Sequence, residues 1–185
     1  DGPPREVIRD GSRVMCFGTG EAPVAYDLDQ AGRWSVALAV SEAVGLRGYR
    51  ARLAGEGRVA GQGVQQVELL AADPWRYGYR LWLERDTALP LRVELLDAAG
   101  QVIEQVAFTD VAIGRTPSDE DLSPSAGVPL QRFKRLPEGP AGDVRWQVPA
   151  PPAGYRLRAA RPLPGGGAHL LYSDGLASVS VYVEP

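Results

Sequence analysis

The sequence predicts an α+β protein made mostly of antiparallel β-sheet. From residue 77 to residue 96, apolar and polar side chains alternate with the period of two that a half-buried strand produces. Turn residues are frequent, since 22 glycines and 16 prolines occur among 185 residues. One stretch, Trp34 to Val44, is instead rich in alanine and leucine, which predicts a short helix ending at Gly45 or Gly48.

Composition excludes several classes of protein. An apolar share of 44% and a charged share of 23% are ordinary for a folded domain. A membrane-spanning helix needs a run of about 18 apolar residues, and the sequence contains no such run. The net charge of −3 gives no reason to expect a nucleic-acid partner. Cys16 is the single cysteine and His169 the single histidine, so we expect neither an internal disulfide nor a zinc site, and no cofactor.

The first elements form a predicted hairpin and one further strand. Residues Arg5 to Arg9 run into Asp10-Gly11, a strong two-residue turn signal, and Arg13 to Phe17 return. A third strand is predicted from Val24 to Leu28.

A glycine-rich segment joins the next two predicted strands, Tyr49 to Leu53 and Val64 to Leu70. Its spacing of Gly55, Gly57 and Gly61 is superficially that of a nucleotide-binding loop. Such a loop leaves a strand and opens a helix, whereas this segment links two strand patterns. We therefore predict a bulged hairpin.

Three predicted strands between residues 77 and 113 form a meander with one apolar face. This face is our candidate lining for a pocket that takes an acyl chain, and its residues are Tyr79, Leu81, Leu83, Leu91, Val93, Leu95 and Phe108. The alternative is a helix that covers and fills it. Arg50, Arg52, Arg80 and Arg92 have the opposite parity, where they would meet phosphate or carboxylate, or else solvent.

Two domains are predicted, spanning residues 1–115 and 130–185, with a linker over residues 116–129. The linker region is rich in proline, serine and acidic residues, and Ser118 can cap one helical turn that runs to Leu122. Charge supports the division, because residues 1–127 contain 13 basic and 19 acidic side chains, whereas residues 128–185 contain 7 and 4.

The second domain is predicted to be small and mainly β. Its strands are expected at Trp146–Val148, Tyr155–Ala159, His169–Tyr172 and Ser178–Val183. Aromatic and arginine side chains concentrate at protein interfaces, and this domain offers Trp146, Tyr155, Arg156, Arg158, Tyr172 and Tyr182 as candidates for binding a partner. The alternative is that the aromatic residues form the core of the domain itself.

Catalysis has little support in the sequence. Ser173, His169 and Asp174 are close enough in the chain to suggest a hydrolase triad. However, Ser173-Asp174-Gly175 is also ordinary turn chemistry, and no nucleophile-elbow motif is present. We therefore predict a binding protein and no enzyme.

Several segments carry a family resemblance. They are residues 1–9 (DGPPREVIR), 79–97 (YRLWLERDTALPLRVELLD), 100–110 (GQVIEQVAFTD) and 169–184 (HLLYSDGLASVSVYVE). They resemble the RseB/MucB family of periplasmic regulators of the envelope-stress sigma factor. The resemblance covers nearly the whole chain and is weakest over residues 18–40.

The resemblance implies a fold and a function. It implies a half-open barrel like those of the lipoprotein carriers LolA and LolB, closed by a helical cover, followed by the small second domain. It also implies a non-enzymatic, periplasmic protein that binds the periplasmic part of an anti-sigma factor (RseA or MucA) and shields it from regulated proteolysis. Lipopolysaccharide or another lipid is the implied releasing signal.

Two further expectations complete this hypothesis. The alternative function is a periplasmic carrier of lipids or lipoproteins of the LolA/LolB type. Family members extend beyond both ends of this chain, so we expect a truncated version in which an exposed sheet edge invites pairing with a second copy, as a possible homo-oligomer.

Overall fold

The computed structural model describes residues 5–11, 13–18, 24–27, 48–124 and 144–184, which form three antiparallel sheets. The first sheet contains β1 (Arg5–Asp10), β2 (Arg13–Gly18) and β3 (Val24–Asp27) in that order. Asp10 pairs with Arg13 at the end of the β1–β2 ladder, as the Asp-Gly signal predicts. Ile8, Met15 and Phe17 form a small core with Leu122 packed against it.

The second sheet is a five-stranded meander. Its strands are β4 (Tyr49–Val59), β5 (Gln62–Ala71), β6 (Gly78–Glu84), β7 (Pro90–Leu96) and β8 (Val102–Ala107), hydrogen-bonded in chain order. The predicted bulged hairpin is present, with a register shift between Leu53 and Gly55. Ala60 and Gly61 both adopt positive φ, as a two-residue hairpin turn of type I′ requires.

The third sheet contains β9 (Arg156–Pro162), β10 (Ala168–Ser173) and β11 (Ser178–Val183), in the order β11-β10-β9. A 3₁₀ turn at Pro164–Gly166 connects β9 to β10. Tyr155, Ala160, Leu170 and Tyr172 form the core of this sheet. The strand predicted at Trp146–Val148 is wrong. The Val148 amide instead donates to the Tyr172 hydroxyl at 3.0 Å, and prolines follow it at positions 149, 151 and 152.

The predicted α+β class and helical cover are wrong for the part of the chain that the structure describes. This part forms eleven strands in three separate sheets, with no α-helix, so the half-open barrel under helices is not what these residues build. The apolar face of the meander instead packs against Leu176, from the turn between β10 and β11. The helix predicted from Trp34 to Val44 lies outside the described residues.

The described residues fall into two compact units. One contains β1–β3 and residues 112–124, and the other contains β4–β8 and β9–β11. The predicted helical turn is present in the first unit, since the Leu122 amide donates to the Ser118 carbonyl at 3.1 Å and the Ser118 hydroxyl accepts from the Asp121 amide. The domain boundaries 1–115, 116–129 and 130–185 stay a prediction, because residues 125–143 are not described.

Candidate functional site

The apolar face of the five-stranded sheet is the first candidate site. Register pairs bring Val67, Leu81 and Val93 side by side across β5, β6 and β7, and Leu69 lies opposite Tyr79 in the next row. Together with Tyr49, four of these residues form a buried cluster. Burial raises the pKa of Tyr79 from 10.0 to about 12, so its phenol stays neutral at physiological pH.

The seven candidates for lining a lipid pocket differ in exposure. Tyr79, Leu81, Leu91 and Val93 are buried, Leu83 and Leu95 are half-buried, and Phe108 is 46% exposed. Leu91 is the extra residue of a bulge in β7, between Pro90 and Arg92. Leu176 packs against the cluster, and the Tyr79 hydroxyl donates to its carbonyl at 3.4 Å. Protein atoms therefore already cover the centre of the face, and its role in lipid binding stays a prediction.

The opposite face of this sheet carries a ladder of alternating charge. Arg52, Glu68, Arg80 and Glu94 are successive register partners across β4, β5, β6 and β7. Arg80 donates to Glu68 at 3.3 Å and to Glu94 at 2.7 Å, and Arg52 pairs with Glu68. The hydrogen bond from Arg52 lowers the pKa of Glu68 more than burial raises it.

Arg92 extends this ladder along β7. It pairs with Glu94, and its guanidinium lies 4.3 Å from the ring centroid of Trp82. Of the four arginines for which the sequence left phosphate, carboxylate or solvent open, three therefore bind carboxylates of the chain itself. The fourth, Arg50, is exposed on β4.

Arg76 joins the five-stranded sheet to the three-stranded sheet. It follows β5 in the loop before β6, and its side chain has no exposed surface. It pairs with Asp73 in its own loop, with Asp174 after β10 at 2.6 Å, and with the Ala153 carbonyl. Burial alone would lower the pKa of Arg76, but Asp174 and Asp73 hold it above its ordinary value, so the guanidinium stays charged.

The six candidates for partner binding separate into two groups. Tyr155 and Tyr172 are buried in the core of the three-stranded sheet, as the alternative prediction has it. The other four are exposed: Trp146, Arg156, Arg158 and Tyr182. Tyr182 is 63% exposed and stacks on His169, with ring centroids 4.4 Å apart and planes 8° from parallel.

The three residues of the suggested hydrolase triad are each bound elsewhere. The Ser173 hydroxyl donates to the Ala177 carbonyl at 2.8 Å, and Asp174 accepts from Arg76 and from two backbone amides of its own turn. His169 contacts the Ser180 hydroxyl at 3.1 Å, on another strand. This is turn and sheet chemistry, and it does not bring the three side chains into a catalytic arrangement.

A cleft of about 310 Å³ lies in the first unit, beside β1. Its lining consists of Val7, Ile8, Arg9, Ala112, Arg115, Pro117, Asp121 and Leu122. Arg115 pairs with Asp121 at 2.6 Å, so this charge is neutralised within the cleft. Among the described residues, no three histidine, cysteine or acidic side chains are grouped to hold a metal, and no helix is long and apolar enough to cross a membrane.

Comparison with known proteins identifies the family. Residues 1–126 match the family described as "MucB/RseB N-terminal domain". The chain belongs to the MucB/RseB family. Over its whole length it is 34% identical to the sigma factor AlgU regulatory protein MucB of Pseudomonas aeruginosa and 30% identical to the sigma-E factor regulatory protein RseB of Escherichia coli. It spans 58% and 60% of the lengths of these two relatives.

Solved structures of MucB agree with this assignment. In the complex structure of Pseudomonas aeruginosa MucA/MucB, one chain matches 98% of this chain with a TM-score of 0.68 at 29% identity, over 68% of its own length. A crystal structure of MucB matches the same share with a TM-score of 0.58 at 28% identity. The family resemblance that the sequence predicted is therefore confirmed.

Sequence reasoning missed the buried charge of Arg76 in this MucB/RseB-family chain. Arg76 lies in a polar turn, and its partners Ala153 and Asp174 follow 77 and 98 residues later in the chain. No local sequence pattern therefore predicts these contacts. The carboxylates of the charge ladder had a signal. Glu68 and Glu94 have the same parity as the arginines in their own or neighbouring strands, and pairing the strands in a meander places the opposite charges side by side.

Proposed function

We propose that this protein is a non-enzymatic regulator of a sigma factor that acts in the periplasm. The protein binds the periplasmic part of an anti-sigma factor of the MucA or RseA type and shields that factor from regulated proteolysis. Lipopolysaccharide or another lipid releases the anti-sigma factor from the complex. The observation that carries the proposal is similarity along the whole chain to sigma factor regulatory proteins, together with the match to MucB in its complex with MucA.

Exposed side chains in the three-stranded sheet and in the segment before it support the partner-binding part of the proposal. Trp146, Arg156, Arg158 and Tyr182 offer aromatic and cationic surface, the composition that dominates binding energy at many interfaces. The other two candidates, Tyr155 and Tyr172, are buried in the core of the three-stranded sheet.

Lipid release needs a difference in affinity between two states. A lipid that binds the free and the partner-bound protein equally well shifts no equilibrium, so the releasing lipid must bind the free protein more tightly. Of the seven pocket candidates, Leu83, Leu95 and Phe108 retain exposed surface. These three would be the first that an acyl chain contacts.

The test measures binding, protection and release in one system. The chain is titrated with the periplasmic segment of MucA in a calorimeter, and the complex is then treated with a protease that cleaves the free segment. We expect saturable binding and slower cleavage, both reversed when lipopolysaccharide is added. A scrambled segment of the same composition is the control.

Two results would contradict the proposal. If the chain does not bind the MucA segment, the partner-binding part of the proposal is wrong. If lipopolysaccharide does not change the complex, the proposed releasing signal is wrong. The alternative, a lipid carrier, makes a different prediction: acyl chains extracted from the purified protein should transfer to acceptor vesicles, with no effect of the MucA segment.

A further inference from the structure

Strand β9 forms one edge of the three-stranded sheet in the part of the chain that the structure describes. An edge strand presents unpaired backbone N–H and C=O groups at the spacing of a strand, so an extended peptide can join it. β9 reads Arg-Leu-Arg-Ala-Ala-Arg-Pro, and Arg156 and Arg158 are exposed. With respect to the residues that the structure describes, this edge therefore combines unpaired backbone groups with positive charge.

These arginines differ from the arginines of the five-stranded sheet. There, Arg52, Arg80 and Arg92 pair with acidic side chains supplied by the strands themselves. On β9, neither Arg156 nor Arg158 pairs with any carboxylate that the structure describes. The five-stranded sheet and the three-stranded sheet belong to the same compact unit.

The described acidic side chains of the third sheet are bound elsewhere or lie apart from Arg156 and Arg158. Within residues 144–184, the acidic side chains are Asp174 and Glu184. Asp174 is bound by Arg76, and Glu184 follows β11, which lies on the far side of β10 from β9. Among the described residues, neither acidic side chain of this segment pairs with Arg156 or Arg158.

Register places Arg156 and Arg161 on one face of the sheet. Arg161 lies opposite His169, and Arg156 lies opposite Ser173, two positions of β10 with the same parity. A bulge between them makes Arg158 the extra residue, beside the pairing of Ala159 with Leu171. At about 3.3 Å per residue, Arg156 and Arg161 are about 16 Å apart along the strand, the span of a strand of five or six residues.

We propose that the edge of β9 binds an acidic, extended segment of a partner protein, which joins the sheet as a fourth strand and pairs its carboxylates with Arg156 and Arg158. The geometry favours a peptide over a lipid, because a lipid phosphate satisfies the guanidinium groups but leaves the backbone groups of the edge unpaired. The proposal deepens the proposed function and rests on it only for the identity of the partner.

The experiment compares two matched charge reversals. Arg156→Glu with Arg158→Glu changes the β9 edge, and Arg50→Glu with Arg58→Glu makes the same change in charge on β4, an exposed edge strand of the other sheet. Binding of the periplasmic segment of MucA is measured by calorimetry at two salt concentrations. We expect the β9 reversal to weaken binding about tenfold or more and the β4 reversal to leave it unchanged.

A second measurement reads the backbone. On forming the complex, the amides of β9 should gain protection from hydrogen exchange, while those of β4 should not. If the β9 reversal fails to fold, as judged by circular dichroism, Arg156→Gln with Arg158→Gln removes the charge without reversing it and carries the same prediction. Equal binding to wild type and β9 variant, or no added protection in β9, overturns the proposal.

Two further probes separate this proposal from the proposed function. If the MucA segment binds no version of the chain, the proposed function fails, and a synthetic peptide of alternating glutamate and valine decides the β9 proposal by binding wild type and not the β9 variant. Vesicles of phosphatidylglycerol test the lipid. If the β9 reversal abolishes vesicle binding and leaves peptide binding intact, the proposal is wrong.

Discussion

Arg76 is a charged side chain without exposed surface, and groups of the chain surround its guanidinium. Asp174 and Asp73 supply opposite charge, the Ala153 carbonyl accepts a further hydrogen bond, and the ring centroid of Tyr155 lies 4.6 Å away. Removing one partner from such a buried ion pair lowers the free energy of unfolding by more than the intact pair contributes to it, because the remaining buried charge is left without an opposite charge. The position therefore tolerates little change in its surroundings.

Gly48 provides the space that Arg76 occupies, which gives a prediction at the scale of one residue. A Cβ at position 48 would overlap the Arg76 guanidinium. We expect Gly48→Ala to lower the free energy of unfolding by about 1–3 kcal/mol, as overpacking does in a well-packed interior. The measurement is urea denaturation followed by circular dichroism.

Gly57→Ala is the matched control, since Gly57 lies in β4 and its added Cβ would meet only Val64 at an ordinary 3.9 Å. The control should stay within about 1 kcal/mol of wild type. Equal losses of stability in the two variants would show that Arg76 is not the cause.

The strands could be predicted from the sequence because their signals are local. The period of two in β6 and β7 and the Asp-Gly turn before β2 each act over a few residues. The strand predicted at Trp146–Val148 was wrong because its three residues carry no local sign of the distant Tyr172 hydroxyl, which binds the Val148 amide. The prediction of a helical cover over the apolar face was wrong for the same reason, because Leu176, which packs on this face, lies in a turn about 80 residues after β7.

The candidate site residues show the same difference between local signals and contacts that form between distant parts of the chain. Exposure of Trp146 and Tyr182 agrees with a surface role, whereas Tyr155 and Tyr172 have aromatic side chains of the same kind and lie in the core. Composition and parity alone do not separate these pairs, because which face of a small sheet is covered depends on residues far away in the chain.

The charge ladder across β4–β7 makes stability depend on pH. Its hydrogen bonds from Arg52 and Arg80 lower the pKa of Glu68 below the ordinary 4.5. A carboxylate whose pKa is lower in the folded than in the unfolded protein stabilises the fold above the unfolded pKa, and this contribution is lost as pH falls through the folded pKa. We expect the melting temperature to fall on acidification below about pH 4.5, and Glu68→Gln to reduce that dependence while lowering stability at pH 7.

Glu120→Gln is the control for this element, because Glu120 is exposed in the turn after Ser118 and lies outside the ladder. Melting curves from pH 3 to pH 7 should superimpose for wild type and this control. An unchanged acid slope in Glu68→Gln would contradict the stabilising role of the ladder.

Polar and apolar contacts join the two sheets of the second unit. Arg76 binds Asp174, the Tyr79 hydroxyl donates to Leu176, and the Tyr155 hydroxyl donates to the Trp75 carbonyl at 3.4 Å. The three-stranded sheet is small, and a core of that size is marginal alone. Its stability should therefore depend on the five-stranded sheet, and Arg76 is the charged centre of the connection.

Hydrogen exchange tests this dependence in the whole molecule. In wild type we expect amides of β6 and β10 to open with the same free energy, because the two sheets unfold as one cooperative unit. Arg76→Met leaves Asp174 buried without its cation and should cost about 3–5 kcal/mol. Opening of β10 should then require less free energy than opening of β6. Arg85→Met, which removes an exposed ion pair with Glu56, should leave the two strands coupled. Equal opening energies for β6 and β10 in Arg76→Met would mean that the apolar contact at Leu176 is sufficient to couple the sheets.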